Sequence, residues 1–223
     1  MIAALLLAAA PAPAAVDAAP ARSAVDAERA FAARAQQVGQ WTAFREYADT
    51  TSVMFNPQAV WAHEFLKDRK DPPRSVQWWP ARSFVSCDGD MAVNTGPWRI
   101  EQQKLDGYFT TVWARQKDGG WKWSYDGGDT LERPLARPAK PAVRKASCSG
   151  LRRIPAAYAA QTPTTARIAG QPPADAGQGR SADGTLTWAW RVAKGGARHF
   201  ETKLWDGRRY VTVLDQQVAA PPR

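Results

Sequence analysis

The sequence predicts an α+β fold in which helices come first and a run of antiparallel strands follows. Apolar residues recur at helical spacing between residues 24 and 68, and from Gln77 onward the pattern changes toward a period of two. In the segment from Gly107 to Asp126, two runs rich in aromatic and β-branched residues flank a glycine pair. Glycine tolerates the positive φ of a tight turn, so this segment is predicted to be a β-hairpin. Helices followed by strands are typical of the α+β class.

Three helices are predicted before the strands. The first is capped by Ser23 or Asp26 and runs to about Gly39, with Asp26 and Glu28 suited to the positive end of its dipole. The second extends from Gln40 to about Ala48. The third is expected from Gln58 to Asp68, after a turn at Asn56-Pro57, with aromatic residues at i and i+4. Each helix therefore has an apolar stripe to bury.

The strands that follow are less fully determined. Residues 83–86 and 91–95 are strand candidates, and Gly96-Pro97 is expected to break or bulge the second one. In the hairpin, a two- or four-residue turn places Trp113, Arg115 and Asp126 on one face. A three-residue turn instead places Trp113 and Arg115 with Trp121 and Trp123. The register therefore decides which side chains enter any cavity, and the sequence leaves it open.

These strands carry a family resemblance, in the segments Asp90–Trp98, Gly107–Arg115 and Asp118–Lys122 with Asp126. Together with the helices that precede them, they resemble the SnoaL-like branch of the nuclear-transport-factor-2-like superfamily over residues 24–130. The resemblance implies a cone-shaped domain, in which three helices pack against a curved antiparallel sheet with an apolar cavity at the open end. The superfamily includes ketosteroid-isomerase-like enzymes, cyclases, dehydratases and carriers, so the fold does not select a function.

Charge is distributed unevenly along the chain. The formal net charge is +9, but residues 24–130 have 13 basic and 14 acidic side chains. Residues 131–180 have 9 basic and 2 acidic side chains among seven prolines, which predicts a solvated basic linker. Since the excess charge belongs to this linker, no nucleic-acid partner is expected.

The C-terminal part, residues 181–218, is predicted to be a small antiparallel β-meander. Three alternating runs are separated by the turn signals Gly195-Gly196 and Asp206-Gly207. One face of its first strand is too apolar to remain in water, and three strands are too few to bury it alone. We therefore expect the meander to dock on the main domain or on a partner.

The N-terminus suggests export. Residues 1–22 contain a short apolar run and an Ala12-Pro13-Ala14 cleavage site but no preceding basic residue, which fits a signal peptide or a disordered Ala/Pro-rich tail. A periplasmic or secreted location is expected, and no segment is apolar enough to span a membrane. In an exported protein Cys87 and Cys148 are able to pair, whereas in the cytosol they would be separate thiols. No metal-ligand spacing and no cofactor motif is present, so neither a metal nor a cofactor is expected.

The candidate functional residues are polar or aromatic groups that a cone could direct inward. Eleven tryptophans favour an aromatic core or the wall of an apolar pocket. The candidate ligand-binding residues are Tyr47, Trp61, Trp98, Tyr108, Trp113 and Arg115. The candidate catalytic residues are Asp126, Tyr108 and His63, because a ketosteroid-isomerase-like mechanism needs a carboxylate and a hydroxyl donor in an apolar pocket. A structural role is the competing interpretation for each of them.

The leading hypothesis is that an exported cone domain binds a small apolar or amphipathic molecule without catalysis. This hypothesis rests on two observations, the abundance of aromatic residues and the absence of a recognisable catalytic motif in the sequence. An isomerase-, cyclase- or dehydratase-type enzyme that uses Asp126 and a tyrosine is the second hypothesis. The third is an envelope interaction protein in which the cone serves as a homodimer scaffold.

Overall fold

A computed structural model describes residues 21–154 and 170–222. It has an α+β architecture with three helices, one mixed sheet and a separate four-stranded antiparallel sheet. The helices are α1 (Ala24–Val38), α2 (Gln40–Tyr47) and α3 (Ala62–Leu66). The strands of the first sheet are β1 (Ala48–Asn56), β2 (Gln58–Trp61), β3 (Gln77–Trp78), β4 (Arg82–Val85), β5 (Met91–Ile100), β6 (Leu105–Arg115), β7 (Trp121–Leu131) and β8 (Ala142–Lys145). Those of the second are β9 (Ala176–Arg180), β10 (Leu186–Val192), β11 (Arg198–Trp205) and β12 (Tyr210–Val218).

Helices α1 and α2 form where the helical spacing predicts them. The Ser23 hydroxyl accepts a hydrogen bond from the Asp26 amide at 3.2 Å and so caps α1. Gly39 separates the two helices, with a φ of 107° that glycine adopts readily. A side chain at this position would also collide with Asp71. The ring of Phe31 is 1% exposed, so α1 packs its apolar stripe into the core.

The predicted third helix is too long, because its first residues are a strand. Gln58–Trp61 pairs antiparallel with β1, and Val53 lies opposite Trp61. The Asn56-Pro57 turn closes this short hairpin, and only Ala62–Leu66 is helical. The apolar spacing at this point suits either element, because a short apolar run does not distinguish a strand from a helix.

The first sheet is mixed, whereas an antiparallel sheet was expected. Its strand order is β2-β1-β7-β6-β5-β4-β8, with β3 beside β5. Strand β1 runs parallel to β7 and β8 runs parallel to β4. Both parallel pairs join segments that are distant in sequence, which hairpin signals do not reveal.

Strand β5 continues through Gly96 and Pro97 without the expected break or bulge. Gly96 pairs with Phe109 and Pro97 pairs with Tyr108 in an unbroken register. A Cβ atom on Gly96 would lie 2.0 Å from the carbonyl oxygen of Trp79, so the glycine allows this close backbone approach. Gly96 therefore marks a close contact with the segment around Trp79 rather than the end of a strand.

Both registers considered for the β6–β7 hairpin occur, in different parts of it. Near the turn, Arg115 lies opposite Trp121 and Trp113 lies opposite Trp123, as a three-residue turn requires. A β-bulge at Ser124 then shifts the pairing by one residue, so that Thr111 lies opposite Asp126. The shift places Trp113, Trp121, Trp123 and Asp126 on the same face, although neither uninterrupted register does so.

The C-terminal sheet has four strands where three were predicted. The additional strand β9 comes from the segment that was expected to be linker, and it pairs with β10. Its sequence is rich in glycine, which is depleted in strands. A Cβ atom on Gly177 or Gly179 would collide with the indole of Trp190 or Trp188, so the two glycines make room for these rings.

Part of the expected linker is folded onto both sheets. Strand β8 pairs with β4 in the first sheet, and Cys148 forms a disulfide with Cys87. The amide of Ser147 donates to the carbonyl oxygen of Trp205 at 2.8 Å, which connects the segment to β11. Residues 142–154 are thus part of the folded structure.

Two cores lie on opposite faces of the first sheet. An inner core between that sheet and the helices contains Phe31, Phe44, Trp78, Trp113 and Trp123. An outer core between the first sheet and the second sheet contains Val53, Val112, Tyr125, Trp188, Trp190 and Phe200. The second sheet therefore docks its apolar face on the back of the first.

None of the helices within the described ranges is long and apolar enough to cross a membrane. The predicted signal segment lies almost wholly in residues 1–20, outside the described residues.

Candidate functional site

A pocket of about 400 Å³ opens beside α2 and the ends of β5, β6 and β7. Most of its wall is apolar and aromatic. The lining residues are Gln40, Trp41, Phe44, Met54, Phe55, Val76, Trp78, Trp98, Ile100, Phe109, Asp126, Gly127, Gly128, Asp129, Thr130 and Arg198. Arg198 belongs to the second sheet, so both sheets contribute to this site.

A row of polar side chains crosses three adjacent strands and reaches the pocket. Asn94 of β5 lies opposite Thr111 of β6, which lies opposite Asp126 of β7. The Thr111 hydroxyl donates to Asp126 Oδ2 at 3.2 Å. Asn94 and Thr111 are fully buried, whereas Asp126 is only partly buried and lines the pocket. The polar row therefore connects the pocket with the interior of the inner core.

Glu28 of α1 lies at the inner end of this row and is completely buried. Its Oε2 accepts hydrogen bonds from Trp113 Nε1 at 2.6 Å and from Asn94 Nδ2 at 3.3 Å. Its Oε1 accepts one from Trp78 Nε1 at 2.9 Å. Burial raises the pKa of Glu28 to about 7, against the opposing effect of these three donors. The carboxyl group fixes Trp78, whose ring is part of the pocket wall.

Asp126 has the chemical character of a carboxylic acid at neutral pH. Burial, and secondarily the charge of Glu28, raise the pKa of Asp126 to about 8. The hydrogen bond from Thr111 and the charge of Arg198 oppose this shift. A protonated carboxyl group donates one hydrogen bond and still accepts others, so Asp126 offers the pocket a donor.

Arg198 is held at the pocket by two contacts. One guanidinium nitrogen donates to the carbonyl oxygen of Gly128 at 2.7 Å, and the guanidinium carbon lies 4.7 Å from the ring centroid of Phe55. Phe55 itself packs edge-on against Trp190 of the second sheet, at a centroid distance of 5.2 Å. The docked sheet thereby fixes a positive charge at the rim of the pocket.

Two of the sequence-predicted site residues line the pocket. Asp126 lies at its polar side, and Trp98 forms part of the apolar wall. The Trp98 indole N–H donates to the carbonyl oxygen of Tyr108 at 3.0 Å, which fixes the ring over β6. Trp113 lies deeper, fully buried beneath the pocket and bonded to Glu28.

The other predicted residues lie elsewhere. Tyr108 alternates with Phe109 along β6 and shares the outer face of Thr110 and Val112. Tyr47 packs on Phe31, with ring centroids 5.0 Å apart. The remaining three are spread over different elements: Trp61 is buried in the outer core, Arg115 is exposed at the hairpin turn, and His63 lies on α3. The structure does not bring these residues together.

Two residues at the site were not predicted. Glu28 was expected only to favour the start of α1, although it lies on the same helical stripe as Ala24, Ala27, Phe31 and Ala35. A charged residue among the apolar positions of a helix could have indicated a buried polar group at this point. For Arg198 no comparable signal exists, because its position depends on how the second sheet docks. Within residues 21–154 and 170–222, no group of three His, Cys, Asp or Glu side chains could hold a metal ion.

No protein-family model matches this chain, and no curated protein matches it. It is similar to a proposed ketosteroid isomerase from Parabacteroides distasonis ATCC 8503, at 17% identity and a TM-score of 0.40, over 50% of this chain and 90% of that one. It is also similar to a proposed ketosteroid isomerase from Shewanella frigidimarina NCIMB 400, at 18% identity and a TM-score of 0.37, over 49% and 97%. The CaMKII hub of S. rosetta is similar at 20% identity and a TM-score of 0.38, over 52% and 100%. The SnoaL-like branch stays a prediction.

Proposed function

We propose that the chain binds a small amphipathic molecule in this pocket without catalysing a reaction on it. The observation that supports the proposal is the pocket itself, about 400 Å³ of space among aromatic rings with polar groups on one side. Ligand sites are commonly apolar clefts with a few polar groups that orient the ligand. The rings of Trp41, Phe44 and Phe109 provide the apolar surface, and Asp126 and Arg198 provide the orientation.

The composition of the lining favours binding over catalysis. An oxyanion hole of the ketosteroid-isomerase kind combines a tyrosine hydroxyl with a protonated carboxyl group. Asp126 fits the second role, but neither Tyr108 nor Tyr47 is part of the lining. Among the described residues that line the pocket there is also no His, Cys, Lys or Tyr that could act as a nucleophile or a second proton carrier.

Thermal shift and isothermal titration with two probes, 1-decanol and decanoate, test the proposal. At least one of them should raise the melting temperature, because a ligand that binds only the folded state stabilises it. Trp41→Ala should weaken this binding, since the ring lines the pocket. Trp79→Ala is the matched control, because Trp79 is a half-buried indole outside the pocket, stacked under Arg137. No shift with either probe, or equal effects of the two variants, would count against the proposal.

A proton-transferring enzyme of the isomerase, cyclase or dehydratase type is the second candidate. The raised pKa of Asp126 beside an apolar pocket favours it, because such a group can exchange a proton near neutral pH. In an enzyme, Asp126→Asn should abolish turnover while probe binding remains. If a turnover assay across cyclic ketones detects no Asp126-dependent reaction, binding alone accounts for the site.

We also propose that the chain is exported to the periplasm or secreted. The disulfide between Cys87 and Cys148 supports this, since disulfides persist in oxidising compartments. Cell fractionation followed by thiol labelling of the denatured protein is the test. Recovery in the cytosolic fraction with both thiols free would contradict it.

A further inference from the structure

Arg198 has hydrogen-bonding capacity that the protein does not use. A guanidinium group carries five N–H donors, and the contact with Gly128 accounts for one of them. Its stacking on Phe55 leaves the edge of the group free to meet a ligand in the pocket. The group is partly buried and held from two sides, so little freedom is lost when it forms another bond.

No carboxylate within residues 21–154 and 170–222 forms an ion pair with Arg198. Two acidic residues share the pocket with it, but each has another partner. Asp129 Oδ1 accepts a hydrogen bond from the Thr130 amide at 2.8 Å, and Asp126 Oδ2 accepts one from Thr111. The remaining N–H donors of Arg198 are therefore able to bind an anionic ligand in the pocket.

Building on the proposed function, we infer that the ligand is an amphipathic monocarboxylate whose carboxylate pairs with Arg198 while its apolar part lies among Trp41, Phe44 and Phe109. The planar fork of a guanidinium matches the two oxygens of a carboxylate. Asp126 lines the same pocket and, when protonated, is able to donate to a carboxylate oxygen.

The charges around the pocket also argue for a single negative charge. Arg198 is the one basic residue among the described lining residues, while Asp126 and Asp129 are acidic. A dianion such as a phosphate monoester would place its second charge near these two carboxyl groups. An ammonium group placed beside Arg198 would be repelled by the guanidinium group. A carboxylate pairs with the guanidinium group while adding only one negative charge beside these acidic residues.

The second sheet then has a direct role in recognition. Arg198 lies at the start of β11, whose partners β10 and β12 hold it in register with Val192 and Val218. The apolar pocket wall comes from α2 and the first sheet, and the anion-recognising group comes from the second. Specificity for the carboxylate depends on the docking of the two sheets.

Isothermal titration of the full chain with decanoate, 1-decanol and decylamine tests the inference. The wild-type protein should bind decanoate about tenfold more tightly than 1-decanol and should not bind decylamine measurably. Arg198→Met should lose that tenfold preference while its affinity for 1-decanol stays the same. Arg191→Met, on the neighbouring strand and exposed, is the matched control and should retain the preference.

Arg198→Lys keeps the positive charge but loses the two parallel N–H donors of the guanidinium group, and should retain only part of the preference for decanoate. If circular dichroism shows that Arg198→Met fails to fold, the lysine variant provides the test instead. Equal affinities of the wild-type protein for decanoate and 1-decanol would overturn the inference while leaving the proposed function intact. Absence of binding by both probes would overturn the proposed function as well.

Discussion

The indole N–H of Trp113 donates a hydrogen bond of 2.6 Å to the carboxyl group of Glu28 in the middle of the inner core. Its hydrogen-bond partners among the described residues, Trp113, Trp78 and Asn94, all present N–H donors to it. A carboxylate has only acceptors and satisfies all three. The aromatic core of this protein is therefore arranged around a buried acid.

Glu28→Gln is expected to destabilise the fold although the side chain keeps its size. The amide nitrogen cannot accept from an indole N–H, so at least one buried donor loses its partner, at a cost of about 1–3 kcal/mol. Urea unfolding followed by tryptophan fluorescence measures this loss. Glu46→Gln is the control, because Glu46 forms an exposed pair with Arg34 and should cost less than about 1 kcal/mol. Equal stabilities of the two variants would contradict the prediction.

The stability of the chain should fall as the pH rises from about 4 to 8. The pKa of Asp126 is raised to about 8 and that of Glu28 to about 7, so the folded state binds more protons than the unfolded state in this range. By linkage, the free energy of unfolding falls as the pH rises, by about 1 kcal/mol per pH unit for each group between its unfolded and its folded pKa. Asp126→Asn should make the dependence shallower.

Urea midpoints at pH 5, 6, 7 and 8 provide the measurement. Asp68→Asn, a change in the exposed loop after α3, should leave the slope unaltered. A wild-type protein that gains stability between pH 5 and 8 would show that the two carboxyl groups are already ionised in the folded state.

The outcome at the hairpin shows what sequence can and cannot predict here. Glycines and alternating aromatic residues predict the hairpin, because turn chemistry and side-chain alternation are local properties. The bulge at Ser124 has no such local signal, and it lies beside a contact distant in sequence, in which the Ser52 hydroxyl of β1 donates to the carbonyl oxygen of Trp123 at 2.5 Å. The register shift that places Asp126 on the inner face could therefore not be predicted from the hairpin sequence alone.

Arg198 illustrates the same limit at the scale of the whole molecule. The apolar face of β10 predicts that the second sheet docks, but not where. The site residue on β11 follows from that docking geometry. Glu28 is the opposite case, because its position on the apolar stripe of α1 was visible in the sequence and was interpreted only as a favourable charge at the helix start.

Loss of the disulfide should destabilise the protein. Cys87 and Cys148 are 61 residues apart, and opening a loop of that length should cost about 2–4 kcal/mol through the entropy of the unfolded chain. The double variant Cys87→Ser and Cys148→Ser should unfold at a lower urea concentration than the oxidised wild type. A reductant should bring the wild type to the level of the variant and leave the variant unchanged. A variant as stable as the oxidised protein would refute the expectation.

The two sheets should unfold in one transition. Phe200 of β11 is 2% exposed, and its ring centroid lies 4.5 Å from that of Tyr125 in the first sheet. Phe200→Ala should cost about 3–5 kcal/mol and should weaken both sheets together. His199→Ala, at the adjacent and more exposed position, is the control. Separate melting of the two sheets in differential scanning calorimetry would show that the outer core does not couple them.

Decanoate affinity should decrease as the pH rises through about 8, if the ligand is a carboxylate. Above that pH Asp126 is ionised and repels the ligand, whereas below it the protonated group donates a hydrogen bond. The charged groups that face Asp126 are Glu28 from α1 and Arg198 from β11, with Asp129 on the same strand.

Titrations at pH 6.5, 7.5 and 8.5 with decanoate and 1-decanol separate this effect from a general loss of structure. The ratio of the two affinities should fall with pH in the wild-type protein. In Asp126→Asn the amide donates at every pH, so the ratio should remain constant. A ratio that falls equally in both proteins would assign the titration to a group other than Asp126, and Glu28 would then be the residue to examine, since burial raises its pKa to about 7.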